Sequence, residues 1–171
     1  MINVSELDHR FRHEIAREPG GEHITRCFSC GTCTAGCPVR EVTDRYNPRK
    51  IIRMALLGMR RDVLSSDFVW LCSACYACYE RCPQDVRITD LMTAIKNIAV
   101  REGYTPPPLM MQIALLREHG RLYEIGEFEN QKRIDLGLPD IREKPDEVRN
   151  LLASSGIEEI VTARKQRHSG K

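Results

Sequence analysis

The chain has 171 residues, of which 42% are hydrophobic and 29% charged, and its formal net charge is +2. This composition is typical of a globular protein with one domain and terminal extensions. The near-neutral charge does not indicate nucleic-acid binding, and no apolar run approaches the ~20 residues that a membrane span needs.

Residues 1–21 form the first predicted element, an amphipathic helical arm. Its apolar residues recur at the spacing of one helix face and are Val4, Leu7, Phe11 and Ile15. The Pro-Gly-Gly sequence at 19–21 ends this pattern. The charged start lacks the apolar segment of a signal peptide, so we expect a cytoplasmic protein.

The second element is a cysteine run with the spacing C-x2-C-x2-C-x3-C-P. Its members are Cys27, Cys30, Cys33 and Cys37, followed by Pro38. Three thiols at steps of three on one tight loop can bind three corners of a cubane cluster, and the fourth corner requires a thiol from elsewhere. Gly31 and Gly36 permit backbone amides to approach the cluster sulfides, and Pro38 turns the chain away.

The segment between this run and the next predicts helices. Asn47 is placed as an N-cap, with Pro48 at the first helical position. The apolar stripe of this helix comprises Ile52, Ala55, Leu56 and Met59. A short helix capped by a residue of 65–67 is expected to lead through Trp70 into the second run.

The second run repeats the first. It comprises Cys72, Cys75, Cys78 and Cys82, followed by Pro83, and Cys72 lies 45 positions after Cys27. This spacing is typical of ferredoxin-type modules that hold two 4Fe–4S clusters, in which the fourth cysteine of each run ligates the other cluster. The predicted ligands are Cys27, Cys30, Cys33 and Cys82 for cluster 1, and Cys72, Cys75, Cys78 and Cys37 for cluster 2.

Zinc and disulfides are the alternatives for eight cysteines. Structural zinc usually takes two C-x2-C pairs with a longer gap, and the doubled four-cysteine run does not follow that pattern. A disulfide scaffold requires an oxidising compartment and is usually a smaller chain. The pattern therefore favours two iron–sulfur clusters, with all eight cysteines as metal ligands and no catalytic residue on this chain.

The rest of the chain is predicted as helices separated by breakers. They are expected at 89–102, 109–119 and 146–154, with a polar stretch of about 25 residues before the last and a frayed basic end at 163–171. No strand alternation is present, so we expect an all-α, helical ferredoxin-like domain with cluster loops between helices. It resembles, at the level of fold, the two-cluster domain of succinate dehydrogenase and fumarate reductase iron–sulfur subunits.

The sequence thus predicts three parts of the chain. Residues 1–21 are the N-terminal arm and residues 22–105 the two-cluster domain. Residues 106–171 form a helical extension that we expect to dock on partner subunits.

The sequence of the second run resembles that of one particular protein family. The sequence from Trp70 to Pro83 (WLCSACYACYERCP) is similar to the signature of the iron–sulfur C subunit of heterodisulfide reductase. The lead-in at 47–51, Leu57-Gly58 and the tract at 137–139 also resemble that family. The resemblance covers residues 22–156 and includes all eight ligand positions.

This resemblance implies a role in an anaerobic, methanogenic complex. In that family the flavin-containing A subunit passes electrons through the C subunit to the B subunit. The B subunit holds noncubane clusters and reduces the disulfide of coenzyme M and coenzyme B, and a hydrogenase or formate dehydrogenase feeds the assembly. The alternatives are an iron–sulfur subunit of a related sulfur-metabolism or quinone-linked complex, and a free ferredoxin. Free ferredoxins are usually smaller and acidic.

Several other residues have more than one interpretation. Trp70, Tyr76 and Tyr79 shield the second cluster or pack in the core, which we favour, or else anchor an interface. Arg81 either offsets cluster charge, contacts a partner or is simply solvated. Met110 and Met111 are expected in a core or a subunit interface.

Two further groups are expected to be solvent-exposed. His9 and His13 have a spacing that can bind metal, but with no third ligand nearby we expect an exposed helix face. The basic residues at 49, 50, 53, 60 and 61 are expected to form a solvated face, with docking on an acidic partner as the less favoured interpretation.

Overall fold

The computed structural model describes residue 5 and residues 7–157, and in these residues the chain forms α-helices and 3₁₀ turns without a strand. The prediction of an all-α fold is therefore confirmed. The α-helices of this part of the chain are α1 (Phe11–Arg17), α2 (Thr32–Ala35), α3 (Pro38–Val42), α4 (Pro48–Leu56), α5 (Arg60–Leu64), α6 (Ala77–Glu80), α7 (Ile88–Arg101), α8 (Pro107–His119), α9 (Glu127–Asp135) and α10 (Pro145–Ser154). None of these helices is long and apolar enough to span a membrane.

The chain divides into two compact units, Met1–Tyr104 and Thr105–Lys171. The first unit contains both cysteine runs and a core of buried apolar side chains. Phe11 and Ile15 of α1 are completely buried in this core, and α1 packs against α4, α7 and the 3₁₀ turn Ile24–Arg26. Val4, the first residue of the predicted arm stripe, lies outside the described residues. Helix α1 starts only at Phe11.

Helix α4 begins as the sequence predicts. Asn47 is its N-cap and accepts a hydrogen bond from the Lys50 backbone N–H at 3.0 Å, with Pro48 at the first helical position. Its buried face differs in part from the predicted stripe: Ile51 is buried, and Met59 lies beyond the helix end. The cap fixes the start of a helix whose apolar face packs into the core.

Helix α7 is the longest element of the first unit. It starts at Ile88 and ends at Arg101, within one residue of the predicted bounds at each end. Its buried apolar side chains are Ile88, Leu91, Met92, Ala94, Ile95, Ile98 and Ala99. Burying each of the larger aliphatic side chains stabilises the fold by about 1.5–3 kcal/mol, so this face contributes much of the core energy.

A cation joins three elements of the first unit. Arg60, at the start of α5, donates to the carboxylates of Glu14 and Glu102 at 2.9 Å each. Its guanidinium also lies 5.8 Å from the centre of the Phe11 ring. The sequence predicts Arg60 as part of a solvated basic face, and that interpretation is wrong for this residue because two carboxylates hold it against the core.

The second unit contains α8, α9 and α10. Helices α8 and α10 occupy the positions predicted from the sequence, and they pack against each other. Thr105 and Leu152 are the only buried residues among the described residues of this unit. Large apolar side chains on its surface are Met111, Leu122, Tyr123, Phe128, Ile134, Leu136, Leu138 and Leu151.

Candidate iron–sulfur centre

The first cysteine run follows a tightly turned path. It starts directly after the 3₁₀ turn Ile24–Arg26. Ser29 and Gly31 then adopt left-handed backbone conformations, with φ of 64° and 90°. Helix α2 carries Cys33, and Cys37 is the N-cap residue of α3, with Pro38 at its first position. These turns bring successive thiols round one loop.

The second run repeats this backbone course. Ala74 and Tyr76, which lie 45 positions after Ser29 and Gly31, also adopt left-handed conformations, with φ of 52° and 62°. Helix α6 is the counterpart of α2, and the two helices pack against each other. The repeat in the sequence is thus a repeat in local structure. Tyr76 adopts there a conformation that costs a non-glycine residue about 1–2 kcal/mol.

A cavity lies inside the first loop. Its empty volume, including space open to solvent, is about 330 Å³, and thiols from both runs line it: Cys27, Cys30, Cys33 and Cys82. The backbone N–H of Val86 donates to the Cys82 sulfur at 3.4 Å. The fourth cysteine of the second run therefore lies with the first three of the first run.

The first three thiols of the second run likewise have the fourth cysteine of the first run, Cys37, near them. Burial raises the pKa of Cys78, and the nearby thiols of Cys72, Cys75 and Cys37 raise it further. Burial likewise raises the pKa of Cys33 to about 11, with smaller contributions from Cys27, Cys78 and Cys30. Cys33 lies on α2 and Cys78 on α6, and these helices pack against each other, so the two groups of thiols are adjacent.

We call Cys27, Cys30, Cys33 and Cys82 the first set, and Cys72, Cys75, Cys78 and Cys37 the second set. A 4Fe–4S cluster is usually held by four cysteine thiolates, so each set of four cysteines fits such a cluster. The assignment of individual ligands to clusters stays a prediction. Buried, protonated thiols must lose their protons to bind iron, so loading with metal releases protons.

No group of three or more His, Cys, Asp and Glu side chains, within the part of the chain that the structure describes, is placed to hold a single metal ion. A cubane cluster does not require such a group, because each of its four thiolates binds a different iron atom. His9 and His13, the histidine pair at helical spacing, are both exposed.

Tyr46 lies against the second set, and no sequence pattern identifies it. Its side chain is 1% exposed, and burial is the main reason that its pKa is raised. The neighbouring thiols of Cys72, Cys37 and Cys78 raise it further. An isolated tyrosine in a turn carries no periodic signal, so its position becomes visible only when the chain is folded.

Thr89, in the first turn of α7, is the second residue that the sequence does not identify. It is 3% exposed, and its hydroxyl oxygen lies 3.7 Å from the Cys78 sulfur. The first set has a more exposed counterpart, because the Thr32 hydroxyl oxygen lies 3.4 Å from the sulfur of Cys30, whose pKa this contact lowers.

A hydrogen-bonded chain fixes the first loop to helix α4. The hydroxyl of Thr34, beside Cys33, donates to the Asn47 side-chain oxygen at 2.9 Å. The backbone N–H of Arg49 donates in turn to the Thr34 hydroxyl oxygen at 3.2 Å. The helix cap thus holds the cysteine loop in place.

The aromatic residues around the second run differ in exposure. Trp70 is half-buried beside the core, and the Lys96 ammonium lies 5.9 Å from the centre of its ring. Tyr76 is 49% exposed, and its ring centre lies 5.7 Å from that of Tyr79. In the first loop Phe28 is 61% exposed. Trp70 therefore packs against the core, its role in shielding the second set stays a prediction, and Tyr76 and Phe28 present ring surface to solvent.

Comparison with known proteins identifies a matching domain family and homologous proteins. Residues 23–86, which include both runs, match a family model described as a 4Fe-4S dicluster domain. A relative from Methanococcus maripaludis, the C2 subunit of an H2/formate:CoB–CoM heterodisulfide,ferredoxin reductase, is 33% identical over 94% of this chain and 94% of its own length.

Two further relatives extend the comparison. The C subunit of the H2:CoB–CoM heterodisulfide,ferredoxin reductase of Methanothermobacter thermautotrophicus is 31% identical over 94% of this chain and 90% of its own. The iron–sulfur C subunit of the CoB–CoM heterodisulfide reductase of Methanopyrus kandleri is 32% identical over 94% of this chain and 91% of its own. The likeness therefore extends well beyond the cysteine runs, into both units.

Proposed function

The chain belongs to the family of heterodisulfide reductase C subunits, an iron–sulfur electron-transfer family, and we propose that it relays electrons between two partner subunits. Electrons enter from the flavin-containing A subunit and leave to the B subunit, which reduces the disulfide of coenzyme M and coenzyme B. A hydrogenase or formate dehydrogenase supplies the complex. The protein sets the spacing, potential and docking of its cofactors, and substrate chemistry takes place on the B subunit.

The placement of each run's fourth cysteine near the other run is the observation that supports a relay best. Cys82 lines the cavity of the first loop, and Cys37 is near enough to Cys78 of the second to raise its pKa. Each set would hold one 4Fe–4S cluster, which would supply single-electron redox chemistry at that place. The packing of α2, which carries Cys33, against α6, which carries Cys78, supports a short path for an electron between the two sets.

Each set also has an edge at the protein surface. Cys30 of the first set and Cys75 of the second are exposed, whereas Cys33 is buried. In the proposed relay, the exposed edge of one set faces the electron donor, and the exposed edge of the other set faces the electron acceptor. The buried thiols form the inner part of the path.

The second unit supplies the docking surface of the proposed relay protein. Its described residues bury little apolar surface, and side chains such as Phe128 (67% exposed) and Leu136 (76% exposed) are open to solvent. Large exposed apolar patches in soluble domains mark interaction sites. We assign residues 106–171 to contacts with the partner subunits, and a cytoplasmic location stays a prediction.

Anaerobic affinity purification of the full chain from its own host tests the relay. We expect a flavoprotein and a second cysteine-rich protein in equal amounts with it, and about eight irons per copy of this chain, four in each cluster. Recovery of the chain alone, brown and loaded with iron, would overturn the proposed complex in favour of a diffusible ferredoxin. Partners that lack flavin but bind quinone would indicate a quinone-linked complex instead.

A kinetic measurement on the purified complex separates docking from electron transfer. Rapid-mixing absorbance spectroscopy monitors two signals, the reduction of the flavin by the donor enzyme and the bleaching of the iron–sulfur absorbance. The Cys75→Ser variant should still co-purify with both partners but transfer electrons more slowly to the disulfide-reducing partner. Unchanged transfer in a variant that has lost its second cluster would contradict the proposed path.

A further inference from the structure

Two buried hydroxyl groups lie against thiols of the second set. Thr89 is 3% exposed, and its oxygen lies 3.7 Å from the Cys78 sulfur. Tyr46 is 1% exposed, and burial and the neighbouring Cys72 thiol raise the pKa of its hydroxyl. The two residues come from different parts of the chain, the turn before α4 and the first turn of α7, and they contact different sulfur atoms.

The direction of these hydrogen bonds follows from the chemistry of sulfur. A thiolate bound to iron has no hydrogen to donate and can only accept, whereas a hydroxyl can donate. Once Cys78 and Cys72 act as ligands, the hydrogens of Thr89 and Tyr46 must therefore point towards sulfur. Thr34 differs, because its oxygen lies 3.9 Å from the Cys33 sulfur but its hydrogen is donated to Asn47.

Hydrogen bonds to ligand sulfur act on the reduction potential. Reduction adds one negative charge to a site that already carries four thiolates, and a donor aimed at sulfur stabilises the added charge. The effect is stronger where water is excluded, because a low local dielectric strengthens each hydrogen bond. Both hydroxyls are in such surroundings.

We propose that Thr89 and Tyr46 are positioning residues whose hydroxyls donate to the thiolates of Cys78 and Cys72 and so raise the reduction potential of the second set's cluster. This inference rests on the proposed function, in which each set holds one 4Fe–4S cluster. The step is the gain of one electron from the donor and its later loss to the acceptor. No proton moves, and both hydroxyls keep their hydrogens.

Redox titration of the full, cluster-loaded chain, followed by electron paramagnetic resonance, tests the inference. Thr89→Val removes the hydroxyl at nearly constant volume, and Thr89→Ser keeps it. Tyr46→Phe removes the hydroxyl oxygen that faces Cys72. We expect the Val and Phe variants to lower the midpoint potential of the same one of the two signals, while the Ser variant stays at the wild-type value.

Thr93→Val is the matched control, because Thr93 is one turn further along α7 and its hydroxyl donates to the Thr89 backbone oxygen at 3.3 Å. Its potentials should equal those of the wild type. An equal shift in this control, or unshifted potentials in both Thr89→Val and Tyr46→Phe at full iron content, would overturn the inference.

The same experiment separates this inference from the proposed function. A wild-type chain without two clusters would contradict the proposed function itself, whereas wild-type clusters with unshifted variants contradict only the roles of Thr89 and Tyr46. If Thr89→Val does not fold, Tyr46→Phe still decides the question. The shift should also be visible in the Fe–S stretching frequencies, which a purely structural role of the hydroxyls would leave unchanged.

Discussion

Gly36 and Arg81 occupy equivalent positions in the two cysteine runs, one residue before Cys37 and Cys82, and they lie against each other. A Cβ atom added to Gly36 would be 2.4 Å from Nη1 of Arg81. The guanidinium of one run thus fills the space that the missing side chain leaves in the other. Arg81 therefore has a packing role in addition to its charge, one that none of its sequence interpretations includes.

The first prediction concerns this contact. Gly36→Ala should cost stability only at the low end of the about 1–3 kcal/mol typical of overpacking, since the clash is with the end of a flexible side chain that can move. Gly21→Ala should cost several times more, because its Cβ would lie 2.0 Å from the Ile15 backbone oxygen, which cannot move independently. Thermal unfolding of the cluster-loaded variants measures both. Similar losses would mean that the Arg81 side chain is rigidly held.

The second prediction concerns ligand sharing. Cys82→Ala should perturb the same paramagnetic signal as Cys27→Ala, and Cys37→Ala the same signal as Cys72→Ala. Each variant should retain about four irons in its intact cluster. Spectra in which Cys37→Ala instead pairs with Cys27→Ala would show that each run ligates its own cluster.

The third prediction concerns the Arg60 ion pairs. Arg60→Gln leaves the carboxylates of Glu14 and Glu102 without their shared cation and should destabilise the first unit by about 1–2 kcal/mol. Arg142→Gln is the control, since its pair with Asp140 is largely exposed and should contribute less than about 0.5 kcal/mol. Urea unfolding measures the difference, which should decrease at high salt. Equal effects would contradict the structural role of Arg60.

The fourth prediction concerns docking of the second unit. Leu136→Asp places a charge on an exposed apolar site and should reduce recovery of the partner proteins at least tenfold in anaerobic purification. Asn150→Asp adds the same charge at an exposed polar position of α10 and should leave recovery unchanged. Wild-type recovery with Leu136→Asp would exclude this side chain from the interface, and its iron content checks that the first unit remains intact.

The sequence predicts the parts of this protein that depend on local signals. The cysteine spacing, the Asn47 cap and the periodic apolar face of α7 each lie within about fifteen residues, so they can be recognised without the fold. Helix α9 is not predicted, because Gly126 and Gly137 are interpreted as breakers of a polar stretch. In the structure they flank the helix: the Gly126 backbone N–H donates to Glu129 at 3.0 Å, and Gly137 is left-handed with φ of 71°.

The features that the sequence does not predict depend on distant contacts. Tyr46 meets Cys72 across 26 positions, and Arg60 meets Glu14 across 46. No periodicity links such pairs, because the folded core alone brings them together. For the same reason the solvated basic face predicted around Arg60 is wrong for that residue, while the predicted bounds of α7 are close to those of the structure.

The bond between Thr34 and Asn47 provides a built-in reporter of order in the first loop. The amide hydrogen of Arg49 donates to Thr34 of the loop, so it is protected only while loop and cap stay together, whereas that of Lys50 donates to Asn47 and reports on the cap itself. Deuterium uptake at Arg49 relative to Lys50, monitored by mass spectrometry as iron is removed, therefore measures how far the loop opens. It does so on the whole chain, without a spectroscopic label or a substitution near the thiols.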